Sequence, residues 1–376
     1  MPIEYRRRGQ AVWLDTISRK MIETGKLKGL AADGSVYGVT SNPTIFGQAV
    51  EKDGGSYKEK LTGLAKDGRD AFGIYDEVTR WDIADGADIL RPLHDKNAED
   101  GWISLEVLPS LAAEADKTVA EATRLNRALA RPNVFIKVPS TPQGVDAIHR
   151  LIGAGISINV TLMFNRKHYH DVAMAYVTGL EDFAKTGGDL SKVHSVASFF
   201  VSRVDTMVDK MLDEKNRPDL KGKAGIANCR VVYQDYLAIF RSQRFLDLAK
   251  KGARVQRPLW ASTGTKNPAY SDLLYVENLI GADTVNTMPE KTLDALLDHG
   301  KCPGDTILED VDGAKKTLEE LKSIGIDIEE VGERLQVDGV KLFAKSYDEL
   351  LSTIESRRAE AVGQAPREVA SQMAAR

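Results

Sequence analysis

The chain has 376 residues, 42% of them hydrophobic and 28% charged, with a formal net charge of -4. That balance is ordinary for a globular protein; it excludes a disordered polar chain and offers no general surface for nucleic acid. Cys229 and Cys302 are the only cysteines, too few for a disulfide framework and wrongly spaced for zinc, so a reducing compartment is expected, with the cytoplasm as the default location.

At the N-terminus, Arg6, Arg7 and Arg8 are followed by no apolar run, so no secretory signal is read there. No window approaches the ~18 uninterrupted apolar residues of a membrane span, and no membrane partner is expected. Strand-like runs then recur at 11–15, 36–40, 102–107, 134–138, 156–162, 193–199, 258–262 and 284–287. Segments with helical spacing of apolar residues separate them, clearest at 111–130 and 144–152. Strands alternating with helices imply a parallel sheet, and eight such units predict an α/β fold closed as a (β/α)8 TIM-type barrel, with an open doubly wound sheet as the alternative. Such barrels run near ~250 residues and take insertions, so residues 1–376 are read as one domain. The long connections 40–102 and 200–258 are expected to be helical insertions. Beyond Pro289 the chain turns helical and charged, best at 310–324 and 339–358, and an extension over about 305–360 is expected to pack on the barrel before a frayed tail.

Within the fourth run, Asn133-Val134-Phe135-Ile136-Lys137-Val138-Pro139, a lysine interrupts an apolar stretch. Desolvation disfavours an ammonium and raises the share of neutral amine able to attack a ketone, which makes Schiff-base catalysis the leading chemistry. The competing reading is a lysine snorkelling to water from a strand end.

Side chains alternate across a strand, which groups Trp102, Ser104 and Glu106 against Ile103, Leu105 and Val107, and Ser157, Asn159 and Thr161 against Ile156, Ile158 and Val160. The same rule pairs Trp13 with Asp15, Thr40 with Asn42, Phe135 with Lys137, His194 with Ser198, Trp260 with Ser262, and Thr284 with Asn286. These polar residues cluster near the C-terminal strand ends, where barrel enzymes place their chemistry, so they are read as facing one pocket. Singly, each has a structural explanation as a partner for buried backbone; together, a buried Lys, Glu and Asp point to a site.

Four ordered segments, Val39-Thr40-Ser41-Asn42-Pro43-Thr44, Phe135 to Thr141 with Gly144, Asn159-Val160-Thr161-Leu162, and Ala197-Ser198-Phe199-Phe200-Val201-Ser202-Arg203, resemble the transaldolase family. The resemblance implies a barrel enzyme in which Lys137 forms a Schiff base with a ketose phosphate, without metal or organic cofactor. A dihydroxyacetone unit then passes between sedoheptulose 7-phosphate or fructose 6-phosphate and glyceraldehyde 3-phosphate or erythrose 4-phosphate, the non-oxidative pentose phosphate reaction. It assigns Asp15 to the C4 hydroxyl proton, Glu106 with Thr161 and a water to imine formation, and Asn42 and Asn159 to the dihydroxyacetone hydroxyls. Thr40 joins the same substrate-binding set, Ser198 and Arg203 match the phosphate site, and Phe200 matches a pocket aromatic. The family segment Ala-Ser-x-Arg is altered here to Ala261-Ser262-Thr263-Gly264-Thr265-Lys266, so Lys266 is the expected substitute for the second phosphate-binding cation. A monomer or a homodimer is compatible with the resemblance.

His168 and His170 lie about 200° apart on a helix and cannot share a metal. Gly54-Gly55 and Gly187-Gly188 lack a dinucleotide-binding context and read as turns. Two rival functions remain: a fructose 6-phosphate aldolase-like lyase that also uses Lys137, and a non-catalytic sugar-phosphate-binding barrel.

Overall fold

The structure, a computed structural model, describes residues 1–52, 54–367 and 369. Eight parallel strands close into a barrel in sequence order: β1 Gln10–Leu14, β2 Gly38–Val39, β3 Trp102–Glu106, β4 Val134–Pro139, β5 Ile158–Met163, β6 Ser195–Phe200, β7 Gln256–Ala261 and β8 Thr284–Met288. Closure is made by β1 against β8, paired from Gln10 with Thr284 to Leu14 with Met288. The expected barrel is therefore present, and the open sheet is not. Both long connections are helical, the first as Pro43–Lys52, Gly54–Lys66 and Ala71–Lys96, the second as Ser202–Glu214, Ala224–Phe240 and Gln243–Ala249.

The turns leaving the C-terminal strand ends are rigid for local reasons. Asn42, Thr141 and Asn165 each accept a hydrogen bond from the backbone amide three residues on, and proline follows the first two, pre-setting the first helical residue. After β4 a side chain at Gly144 would collide with the carbonyl of Pro139, its Cβ only 1.9 Å from that oxygen.

Apolar side chains form one layer between barrel and helices, which includes Val12, Ile103, Ile136, Ile158, Phe199 and Trp260. A second cluster fills the barrel and its mouth, and it includes Trp13, Trp102, Phe135, Leu259, Ala261 and Val285. Parity is thus as expected on the first six strands and reversed on the last two: Trp260 packs outward, edge-on to Phe199, and Val285 takes the inward position expected of Thr284 and Asn286. The floor is a Trp102–Phe135 stack with centroids 3.9 Å apart. Beneath it Glu99 faces His194 and Arg257 at 3.5 Å each, and Arg257 also donates to the Glu99 carbonyl.

The C-terminal extension departs from expectation in length. A single helix runs from Ile328 to Val362, capped by the Asp327 side chain on the Glu329 amide, and so begins well before Gly339. Gly332 and Gly339 lie inside it because the helix is pressed against the barrel: a Cβ on Gly332 would sit 2.6 Å from Asn165 Cβ, and one on Gly339 2.9 Å from a Leu162 methyl. No helix of the described residues is long and apolar enough to cross a membrane.

Candidate active site

Lys137 lies in the middle of β4 and is 4% exposed, so it does not snorkel. Its Nζ donates to the Ser41 carbonyl at 3.1 Å and stands 3.2 Å from Glu106 Oε2. Glu106 is its ladder partner on β3, and Asn159 its partner on β5. The Glu106 contact is an ion pair, and Oε2 has no further hydrogen-bond partner among the described residues. Burial lifts the Glu106 carboxyl above its ordinary value; Lys137 and Arg203 pull it back in part, and Asp15 adds to the rise. The Oγ1 of Thr161, on β5 two residues beyond Asn159, is a second buried oxygen without a hydrogen-bond partner among the described residues.

A chain of hydrogen bonds fixes the amide of Asn159: its Nδ2 donates to Ser104 Oγ at 2.9 Å, and its Oδ1 accepts from Ser198 Oγ at 2.7 Å. Asp15, just past β1, accepts from Thr40 Oγ1 at 2.6 Å, and Thr40 is in turn 2.7 Å from Thr287 Oγ1. Asn42 commits its Oδ1 to capping the helix from Pro43, so only its Nδ2 is left to donate to a ligand.

Arg203, at the start of the helix Ser202–Glu214, is held between two rings, 5.1 Å from the Phe200 centroid and 5.8 Å from that of Phe343. Burial lowers its pKa, while Asp15 and Glu106 act the other way. The Lys137 ammonium is 5.6 Å from the same Phe343 ring. Lys266 is placed differently. It is exposed and lines a cleft of about 250 Å³ with Asp205, Asp209, Asp213 and Tyr270, none of them a residue of the Lys137 cluster.

The family model described as Transaldolase/Fructose-6-phosphate aldolase matches residues 12–354. The chain belongs to this family. It is 50% identical over 353 residues to a protein named Transaldolase from Parafrankia sp. (strain EAN1pec), covering 93% of this chain and 95% of that one. It is 46% identical over 348 residues to the Transaldolase of Mycobacterium tuberculosis, covering 91% and 93%, and 46% identical over 353 residues to that of Mycolicibacterium smegmatis, covering 93% and 95%.

The family barrel ion-pairs Lys137 with Glu106, bonds Asn159 to Ser198 on the strand ladder beside Lys137, and joins Asp15 to Thr40. Electrostatics ties these groups together, since Asp15 acts on both Glu106 and Arg203. Sequence reasoning passed over Thr287, the Ser41 carbonyl and Phe343. Thr287 was hidden by the reversed parity of β8, and a backbone carbonyl leaves no trace in a sequence. Phe343 is separated from Lys137 by most of the chain, and only its place in the apolar stripe of the last helix marks it.

Proposed function

We propose that the protein is a transaldolase, moving a dihydroxyacetone unit from a ketose phosphate to an aldose phosphate through a Schiff base on Lys137. The observation that carries this reading is the buried Lys137–Glu106 pair at the C-terminal face of the barrel, where neither charge is solvated and each is 6% exposed or less. Passing the proton from the ammonium to a carboxyl already lifted by burial removes two charges from a dry site, leaving a neutral amine and a neutral acid.

The amine then attacks the ketose C2, and the acid returns the proton to the carbinolamine oxygen, which leaves as water. The Glu106 carboxyl and the Thr161 Oγ1, which has no hydrogen-bond partner among the described residues, suit a water or a substrate hydroxyl at that step. Asp15, held by Thr40, takes the C4 hydroxyl proton; the C3–C4 electrons flow to the protonated imine, the aldose departs, and a neutral enamine remains on Lys137. Addition of the acceptor aldehyde reverses these steps. The pre-bonded Asn159, with the Asn42 Nδ2, positions the three-carbon unit. Arg203 meets the phosphate with a planar fork that the two rings hold in place.

Sugar phosphates are accordingly the proposed substrates, and the cytoplasm the proposed compartment, in keeping with two free cysteines. A second reading, a fructose 6-phosphate aldolase-like lyase, is favoured by the scope of the family model itself, whose description names both activities. Borohydride reduction in the presence of fructose 6-phosphate should attach a three- or six-carbon fragment to the peptide containing Lys137, and a coupled assay should yield glyceraldehyde 3-phosphate in quantity only when erythrose 4-phosphate is supplied. Absence of labelling overturns the Schiff base; equal turnover without the acceptor overturns transfer.

A further inference from the structure

The last helix does more than pack beside the barrel. Its residues Gly332, Gln336, Gly339, Phe343 and Ser346 alternate at spacings of three and four, which puts them in one stripe along a single face, and each meets the barrel mouth or its βα turns. Gln336 is buried, and its Nε2 lies 3.1 Å from the Ser140 carbonyl, 2.9 Å from Ser140 Oγ and 3.2 Å from the Leu162 carbonyl. Gly339 lets the helix close onto Leu162 and leaves the site of a Cβ 3.7 Å from an Arg203 nitrogen. Ser346 Oγ accepts from Thr44, two residues after Asn42, at 2.8 Å.

Leu162 itself is unusual. It has φ 62° and sits where the β5–β6 register shifts between Val160 and Met163. A branched residue in the left-handed region is strained and persists only where its surroundings enforce it. Here the bulge turns Leu162 from the strand into the mouth cluster that contains Phe343 and Leu335, so the strain on β5 sets the height at which the helix, and with it Phe343, rests over Lys137.

The Phe343 ring is in cation–π range of both Lys137 and Arg203, spanning the carbon-bond chemistry and the phosphate end. An ordered water needs two to four polar partners, and a phenyl face offers none. We propose that Phe343 is the specificity-determining roof of the site: by denying water a place on the face of the Lys137-bound enamine that it covers, it decides that the three-carbon unit is transferred to an aldehyde and not released. This rests on the Schiff-base reading above. The reaction it suppresses is balanced by water alone. A proton adds to the enamine carbon C3 to give the iminium, hydroxide adds at C2, and dihydroxyacetone leaves with regeneration of the Lys137 amine.

The test compares wild type with Phe343→Ala and Phe343→Leu, using fructose 6-phosphate. Three quantities are read: dihydroxyacetone released without acceptor, transfer with erythrose 4-phosphate, and borohydride labelling of Lys137. In Phe343→Ala the ratio of release to transfer should rise at least tenfold with labelling retained, and Phe343→Leu, which keeps apolar volume without the ring, should rise less. An unchanged ratio, whether or not both rates fall together, overturns the role of Phe343 while leaving the Schiff base intact. Should the alanine variant not fold, the leucine variant decides by the same ratio. Wild type that is not labelled at Lys137 instead defeats the underlying reading.

Discussion

Glu106 and Lys137 face one another in the β3–β4 ladder, so their 3.2 Å separation is set by backbone register and not by a loop. Moving either strand by one residue would turn one partner out among the helices. The acid and the amine of the proposed proton exchange are thereby both carried by barrel strands and not by loops.

Replacement of Lys137 by alanine should abolish turnover, because no nearby group can substitute for the imine as an electron sink. The same change leaves Glu106 free to take up a proton in its buried surroundings, so the barrel should remain folded. Circular dichroism together with the coupled assay checks both halves; residual activity above background would remove Lys137 from the mechanism.

Glu106 should confer an alkaline limb on the rate of imine formation. Burial holds its carboxyl above the ordinary value, so the protonated form that would donate to the carbinolamine persists to higher pH than in an ordinary carboxyl and is lost as pH rises through that elevated pKa. In Glu106→Gln the limb should disappear while the single-turnover rate of labelling falls by about 10²- to 10⁴-fold. Retention of the limb in the glutamine variant would assign it to another group.

Arg203→Ala should weaken kcat/KM for phosphorylated donors by on the order of 2 to 4 kcal/mol, and that for unphosphorylated donors far less, as expected when a positioned charge-assisted fork is removed. Lys266, exposed on a cleft that it shares with Lys210, Lys221 and three aspartates, should cost under about 1 kcal/mol when changed to alanine, in line with hydrated surface charges. Comparable losses in the two variants would show that Lys266 reaches substrate phosphate after all.

Stability should depend on Glu99 at the barrel floor. Burial there acts to raise its pKa, but His194 and the arginines Arg257 and Arg254 outweigh it and hold the carboxyl at about 2, against 4.5 for the free group. Between those values the unfolded chain binds more protons than the folded one, so the stabilisation is complete above pH 4.5 and disappears as pH falls through 2. Glu99→Gln should lower the urea midpoint at pH 7 by the equivalent of roughly 2 to 3 kcal/mol and narrow the gap between midpoints at pH 7 and pH 3. Parallel pH dependence in the two proteins would count against the assignment.

The fold and the heart of the site were legible because strand alternation and barrel topology act locally. Lys137 stood out as a charge in an apolar run, and Ser104, Glu106 and Asn159 were correctly grouped by period alone. Alternation separates two faces without saying which one is inward, and on β7 and β8 both faces carry apolar bulk; Trp260 and Val285 therefore settled opposite to expectation. At Leu162 the bulge shifts the period by one residue, which no count of apolar residues reveals. The last helix extends well before the expected start at Gly339; although glycine normally weakens helices, Gly332 and Gly339 here permit close approach to the barrel mouth, a tertiary fact invisible to propensity.

Because the stripe from Gly332 to Ser346 follows every strand of the barrel in the chain, the cover of the proposed site is synthesised after the barrel itself. All eight strands leave the ribosome before their cover does, so a nascent barrel can hold Lys137 and Glu106 in place while still open to solvent. Competence for guarded chemistry then arrives late and all at once, when the helix from Ile328 docks. A chain cut between the end of β8 at Met288 and Phe343 would keep all eight strands and Lys137 but lack this cover.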